Sequence, residues 1–211
     1  MQEIIIKQPA HDNPLLNFLE QYWRILAAIL VAAVVLAGGY AGYTLMSGHS
    51  RGKAVEALGT IIAEKTGPER LTALESFLAS APSSVKPAVL LEIARTAQEQ
   101  KAYDKAADAW AQLANIAPPG TRELAVIGQA TALALGGNKT QAVNILSDFS
   151  TKAPKAFDTI VTRQLAVIAE EAGAWHEALT ANLKLAAIDG LDPTTKAYYE
   201  AKAAAMKAKL Q

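Results

Sequence analysis

The stretch that decides the fold reads YDKAADAWAQLANIAP and runs from Tyr103 to Pro118. Its apolar residues Ala106, Trp110 and Leu113 are three or four positions apart, which places them in one stripe along an α-helix. A proline closes the stretch, and the residue before a proline is biased away from the helical conformation. The stretch therefore predicts an amphipathic helix that ends just before its proline.

The landmarks of this helix return at a spacing of 36 residues. The positions that end a helix are Pro82, Pro118, Pro154 and Gly190. In the last three units, small residues recur in the second helix at Ala106, Ala142 and Ala178. They recur in the first helix of the same units at Ala94, Ala130 and Ala166. A third matched position holds Trp110, Leu146 and Asn182. A fixed period of this size indicates stacked helical units.

The matched patterns predict four pairs of helices. Their ranges are 52–65 and 68–80, 87–100 and 103–116, 121–135 and 139–152, and 158–171 and 175–188. Gly137 and Gly173 stand where Lys101 stands one and two periods earlier, which suits a tight turn between the helices of a pair.

A last helix is expected from Thr194 to Leu210, because Asp192-Pro193 is a helix-start signal. Its Lys and Glu residues alternate with four apolar residues, Ala197, Tyr198, Ala201 and Ala205. This alternation is expected of a capping helix with one solvent-exposed face.

This spacing resembles the tetratricopeptide repeat family over about residues 51–190. In that family a small residue on each helix lets the pair pack closely, and a proline closes the second helix. The resemblance implies an all-α solenoid of about four hairpins and a capping helix. The chain departs from the family at Arg70, where alanine is expected, and in its period, which exceeds the family's period of about 34.

A different kind of segment precedes the repeats. Residues 25–46 read ILAAILVAAVVLAGGYAGYTLM and contain no charged side chain. As a helix this segment would be about 33 Å long, close to the roughly 30 Å hydrocarbon core of a bilayer. A secretory signal peptide would instead have a shorter apolar core behind a basic head, whereas acids such as Glu3, Asp12 and Glu20 precede this one. We expect an uncleaved, single-pass membrane helix.

The chain is thus divided into a tail with an amphipathic lead-in at residues 1–24, a membrane helix at 25–46 and a tetratricopeptide-like domain at 47–211. Gly38 and Gly42 form a Gly-x-x-x-Gly pair, which predicts a close interface with another membrane helix, including a homodimer. The ordinary abundance of glycine in membrane helices is the alternative explanation.

Composition argues against several classes of function. The 20 Lys+Arg balance the 20 Asp+Glu, so no net field would attract nucleic acid. There is no cysteine, and the three histidines do not share a helical face with other metal ligands. No nucleophile, base and acid form a recognisable catalytic set. We therefore expect a protein without enzymatic activity, metal or cofactor.

A binding surface is the remaining expectation. If the resemblance holds, the first helices of the pairs line a groove. The side chains expected to face it are Arg95, Gln98, Thr131, Arg163, Val167 and Glu170. Isolated charges among apolar groups suit a peptide or helix of a partner protein. The alternative is an ordinary solvated helical face.

The architecture of the chain also resembles a bacterial family of ancillary Sec translocon subunits. The resemblance lies in a short tail, an amphipathic lead-in that reads PLLNFLEQYW, a membrane anchor and helical repeats. That resemblance implies an inner-membrane protein with a periplasmic repeat domain, whose partners are the translocon, periplasmic chaperones and secreted clients. A structural assembly factor that uses Gly38 and Gly42 is the alternative. A cytoplasmic adaptor in the inverted orientation also remains, because basic residues flank the anchor almost evenly.

Overall fold

The computed structural model describes residues 50–211. The predicted tail, the predicted membrane helix and the Gly38–Gly42 interface lie outside the described residues. Within residues 50–211, no helix is both long and apolar enough to cross a membrane.

The described part of the chain is all-helical, with nine helices and no strand. Their bounds are α1 (residues 50–64), α2 (Gly67–Ser80), α3 (Lys86–Glu99), α4 (Tyr103–Ile116), α5 (Thr121–Leu135), α6 (Lys139–Ser150), α7 (Lys155–Ala172), α8 (Trp175–Ala186) and α9 (Pro193–Lys209). All nine helices predicted within residues 50–211 are present. The largest difference is that α7 begins three residues earlier than predicted; α1 is helical from residue 50, two residues before its predicted start, and α6 and α8 end two residues earlier.

The helices pack in a repeated order. From α2 to α9, each helix makes its main contacts with the helix before it and the helix after it in the chain. Short connections between consecutive helices favour such neighbouring placement. The second helices α2, α4, α6 and α8 begin at Gly67, Tyr103, Lys139 and Trp175, which lie 36 residues apart. The predicted period is confirmed.

The turn inside each pair is the same structure three times. At the end of α3 the N–H of Ala102 donates to the carbonyl of Ala97, and the N–H of Lys101 donates to the carbonyl of Gln98. This double hydrogen bond closes a helix when one residue adopts the left-handed conformation. The same two bonds recur 36 and 72 residues later, where Gly137 and Gly173 hold the left-handed position. Among the described residues, Lys101 is the only non-glycine with positive φ, at 58°.

The predicted small residues lie in the core. Ala94, Ala130, Ala106, Ala142 and Ala178 are completely or almost completely buried, and Ala166 is also buried. Their small side chains let the backbones of neighbouring helices approach, and Leu113 and Leu146 fill the space between them. Burial of this apolar surface is the main stabilising contribution to the stack.

Arg70, the departure from the repeat pattern, has a structural role at the end of α1. Its Nε donates to the carbonyl of Lys65 at 2.8 Å, and a terminal nitrogen donates to the carbonyl of Ile62 at 3.2 Å. The last carbonyls of a helix have no partner within the helix. Arg70 therefore caps the C-terminal end of α1 with a charged side chain. The later units have alanine at the matched position.

The last helix differs from the expectation in its orientation. Asp192 caps α9 by accepting a hydrogen bond from the N–H of Thr195 at 2.9 Å, so the predicted start is confirmed. The buried residues are Ala203 and Met206. The residues expected to pack against the stack are exposed instead: Ala197, Tyr198, Ala201 and Ala205. Alternation alone did not distinguish the two faces, because alanine occupies both.

Candidate interaction surface

The first helices of the pairs carry exposed apolar side chains. Most large apolar residues that remain exposed in α1, α3, α5 and α7 lie at matched positions: Val55 with Leu91, and Leu124 with Ile160. Val167 is exposed as well, with 49% of its surface accessible. On α7, Ile160 and Val167 are seven positions apart, which places them on one face of the helix. Leu135, at the end of α5, is also exposed but has no large exposed apolar counterpart at the matched positions of the other first helices. We call the exposed apolar residues at the other positions the first-helix face: Val55, Leu91, Leu124, Ile160 and Val167.

The six residues predicted to face the groove all lie on first helices. Arg95, Thr131 and Val167 occupy one repeat position, and Gln98 and Glu170 occupy another. Arg163 precedes Val167 by about one turn of α7. Arg95, Arg163 and Val167 are exposed, whereas Gln98, Thr131 and Glu170 are half-buried.

Two of the six side chains, Gln98 and Thr131, are committed to contacts between helices of the stack, and a third makes only an exposed contact. Gln98 accepts a hydrogen bond from the indole of Trp110 at 3.4 Å. The hydroxyl of Thr131 accepts from Gln164 at 3.2 Å and thereby joins α5 to α7. Arg95 forms an exposed ion pair with Glu99 at 3.1 Å on its own helix. Such exposed pairs contribute little to stability and exchange readily with water or a partner.

Glu170 lies at the centre of a polar network that joins three helices. One carboxylate oxygen accepts from the amide of Asn182 on α8 at 3.1 Å, and the other lies 2.6 Å from the ammonium of Lys202 on α9. The hydrogen bond that Lys202 donates to Glu170 raises the pKa of Lys202, because it stabilises the charged ammonium. Asn182 also donates to the carbonyl of Ala178 and is almost completely buried. Glu170 therefore already has its partners within the chain.

A cavity of about 380 Å³ lies beside this network, between α7, α8 and α9. Three of the six predicted residues, Arg163, Val167 and Glu170, line it together with Tyr198 and Tyr199 of α9. The two tyrosine rings meet edge to face, with centroids 5.3 Å apart. We call this space the α7–α9 cavity. The structure thus brings the α7 half of the predicted set together at one pocket, and Arg95, Gln98 and Thr131 do not line it.

Sequence reasoning missed two groups of this surface. Leu91, Leu124 and Ile160 were not assigned to the groove, although the 36-residue spacing of Leu124 and Ile160 on the polar side of their helices is a usable signal. Tyr198 and Lys202 were missed because the sequence pattern of α9 indicates only a capping helix. Their placement depends on how α9 packs on α8, which the sequence pattern did not determine.

The described residues contain no cluster that would hold a metal ion. Within residues 50–211, no group of three or more His, Asp or Glu side chains comes together in a metal-binding arrangement. His176 is exposed in the first turn of α8, beside a second cavity lined by the hydroxyls of Ser147, Ser150, Thr162 and Thr180. Ser150, Thr162 and Thr180 donate to carbonyls of their own helices. These contacts are ordinary for helical Ser and Thr.

Comparison with known proteins identifies no relative: no family model, no curated protein and no solved structure matches this chain.

Proposed function

We propose that this chain is a membrane-anchored protein-interaction module whose helical stack binds a segment of another protein along the first-helix face. Residues 25–46 would provide the anchor and the stack would provide the binding surface. No catalytic step is part of this proposal.

The observation that carries the proposal is the repeated exposure of large apolar side chains on first helices. Val55, Leu91, Leu124, Ile160 and Val167 are each between 43% and 53% exposed. Exposed apolar residues are common one at a time, but two matched pairs of them, Val55 with Leu91 and Leu124 with Ile160, suggest a surface that is covered in a complex. Exposed apolar side chains on successive stacked helices suit an amphipathic helix or an extended apolar segment.

The 36-residue period, the closely packed alanines and the closing prolines support a tetratricopeptide-like solenoid. On this basis we further propose that the chain acts as an ancillary subunit of a secretion translocon, in the bacterial inner membrane, with its stack in the periplasm. There it would bind chaperones or emerging secreted chains. The short tail, the lead-in and the single apolar segment support this assignment.

Photo-cross-linking tests the surface directly. We would place a photoreactive amino acid at Leu124 or Ile160 of the first-helix face, and at Leu183 of α8 as the matched control. Leu183 is 53% exposed, comparable with Leu124 at 52%, but it lies on a second helix. Cross-links to a partner from Leu124 and Ile160 are expected, and none from Leu183. Equal cross-linking from all three sites would overturn the proposal.

Topology tests the proposed location. Because the chain lacks cysteine, one cysteine at exposed Lys196 or Lys207 gives a single reporter. A thiol reagent that does not cross the inner membrane should label this cysteine in intact spheroplasts. Labelling only after lysis would contradict a periplasmic stack and support the cytoplasmic adaptor.

A second pair of substitutions separates client binding from an assembly role. Changing Gly38 and Gly42 to leucine should leave the cross-links from Leu124 unchanged. Loss of all partners from this variant would instead support a structural assembly factor that acts through its membrane helix.

A further inference from the structure

We infer that the α7–α9 cavity is the anchor pocket of the first-helix face, and that it takes a large apolar side chain whose partner segment carries a carboxylate next to it. The inference rests on the proposed function, since it names the partner chemistry at one end of the same surface.

The shape and lining of the cavity favour an apolar anchor. Its walls include Ala166, Val167 and Leu185, and the rings of Tyr198 and Tyr199. Val167 and Tyr198 are 49% and 57% exposed, so both can still bury surface when a partner arrives. A volume of about 380 Å³ is small among ligand pockets, which are about 300–1,000 Å³. It therefore suits one large side chain with its neighbouring backbone, in the manner of an interface hot spot.

The polar walls of the cavity make few further demands. Glu170 is held by Asn182 and Lys202, and Glu171 pairs with Lys139 at 3.1 Å. Their charges are therefore compensated by side chains of the same chain. An apolar group that enters beside them would not leave a polar atom without its partner.

Arg163 is the exception among the charged residues of the cavity. Within residues 50–211 it forms no ion pair, and its side chain is exposed at the wall of the cavity. The other cation of the cavity, Lys202, already bonds Glu170. Arg163 thus leaves one uncompensated positive charge at the pocket. A guanidinium in this position favours a carboxylate, to which it can donate two parallel hydrogen bonds.

Two contacts hold α9 against α7 and α8 in the chain without a partner. Lys202, in the middle of α9, bonds Glu170 of α7, and Lys209, at the C-terminal end of α9, lies 5.8 Å from the ring of Trp175 on α8. Two separate contacts therefore fix α9 relative to α7 and α8. A preformed pocket reduces the ordering cost of binding.

The test uses the full chain in mild detergent and four fluorescein-labelled peptides of one length. Their central residues are Glu-Leu-Phe-Glu, Gln-Leu-Phe-Gln, Lys-Leu-Phe-Lys and Glu-Ala-Ala-Glu, and binding is measured by fluorescence anisotropy. We expect the first peptide to bind about fivefold more tightly than the glutamine peptide, and about tenfold more tightly than the alanine peptide. The lysine peptide should bind most weakly of those with Leu-Phe.

Matched variants locate the site. Arg163→Gln should abolish the preference for glutamate over glutamine, whereas Arg95→Gln, on the same face but away from the cavity, should preserve it. Val167→Phe narrows the pocket and should weaken the Leu-Phe peptides about tenfold. Val55→Phe makes the same change on α1 and should have no such effect. Both valines are about half exposed, so the chain should fold with either substitution.

Three results would overturn the inference: no binding of any peptide, no dependence on Arg163 and Val167, or equal binding of the lysine peptide. None of them decides the proposed function, because cross-linking from Leu124 is measured separately. If Leu124 cross-links a partner while the peptides ignore the cavity, the first-helix face stands and the anchor pocket is wrong. If cross-linking fails while the peptides bind the cavity, the pocket stands alone.

Discussion

Two regions that lie 72 residues apart fill the same repeat positions with side chains of different size and charge. In the α3–α5 region, Trp110 donates to Gln98 and its ring lies against the backbone of Gly128. In the α7–α9 region, the equivalent of Trp110 is Asn182 and the equivalent of Gln98 is Glu170. The donor and acceptor thus recur at the same two positions.

The size of the side chains decides what the next helix can do. The indole of Trp110 fills the space between α4 and α5, and glycine at position 128 lets the helices close on it. The shorter Asn182 leaves space that Lys202 reaches only in part, and the α7–α9 cavity remains. A large aromatic residue therefore fills the contact between α4 and α5, and we call this contact of Trp110 with Gly128 the closed joint. A small polar residue at the same repeat position is compatible with a pocket. We call the contact of Glu170 with Asn182 and Lys202 the polar joint.

The closed joint is where a single methyl group should have the largest effect. A Cβ added at Gly128 would lie 2.6 Å from Cδ2 and 2.7 Å from Cε2 of Trp110. Gly128→Ala must therefore separate α4 from α5, and we expect the free energy of unfolding to fall by about 2–3 kcal/mol. Urea unfolding of the full chain, followed by circular dichroism, measures the change.

Gly59→Ala is the control for this substitution. Gly59 is also within a helix, but a Cβ there would meet nothing within 4 Å. Alanine should stabilise α1 by about 0.5–1 kcal/mol. If Gly128→Ala were as harmless as Gly59→Ala, the α4–α5 joint would not be as closely packed as described.

The polar joint should show a smaller and more local effect. Glu170→Ala removes the acceptor of Lys202 and one of the two acceptors of Asn182, and we expect the free energy of unfolding to fall by about 1–2 kcal/mol. The equivalent change, Gln98→Ala, removes only the 3.4 Å contact from Trp110 and should cost less than about 0.5 kcal/mol.

Amide hydrogen exchange distinguishes a local from a global loss at this joint. Faster exchange should be concentrated in α8 and α9 of the Glu170→Ala chain. Equal acceleration in α4 would mean that the two joints are coupled, and the comparison between them would fail.

The sequence predicted the repeated joint well, because the repeat depends on local rules. Closing prolines, buried alanines and left-handed turn residues each leave a mark at a fixed position, and the second helices begin 36 residues apart as expected. The same rules identified Lys101 as the residue that stands in place of glycine.

The pocket was only half predictable, because it depends on packing between helices with different patterns. Arg163, Val167 and Glu170 were assigned from their place on α7, and they do meet at one cavity. The sequence of α9 has alanines on more than one face, so its pattern did not indicate which face packs on the stack or that Tyr198 and Lys202 line the cavity. Nor did the sequence indicate that Lys202 and Asn182 already satisfy the carboxylate of Glu170.

The turns of the two regions offer a further test. Lys101 has φ of 58°, and its equivalent Gly173 has φ of 72°. A residue with a Cβ is strained in this conformation, whereas glycine adopts it without strain. Lys101→Gly should therefore raise the free energy of unfolding by about 0.5–1 kcal/mol, and Gly173→Lys should lower it by about 1 kcal/mol. A loss of stability in Lys101→Gly would show that the lysine side chain contributes more than its backbone strain costs.

The smallest expected effect concerns pH, and it belongs to the polar joint alone. Glu170 raises the pKa of Lys202 above its ordinary value of 10.5. The contact therefore stabilises the fold fully below about pH 10, where Lys202 is charged in both the folded and the unfolded protein. The contribution is lost as the pH rises through the raised pKa, where the folded protein also loses the proton. Thermal unfolding of the native chain and of Lys202→Met between pH 8 and pH 11.5 isolates it, since other titrating groups are common to both. The difference between their unfolding midpoints should be constant at the lower pH values and should shrink toward zero at the upper end.

Lys196→Met is the control, because Lys196 lies 4.0 Å from Glu200 on an exposed face. Its substitution should shift the unfolding midpoint little at any pH. A difference for Lys202→Met that stays constant to pH 11.5 would mean that its apolar stem, rather than its charge, holds α9 in place.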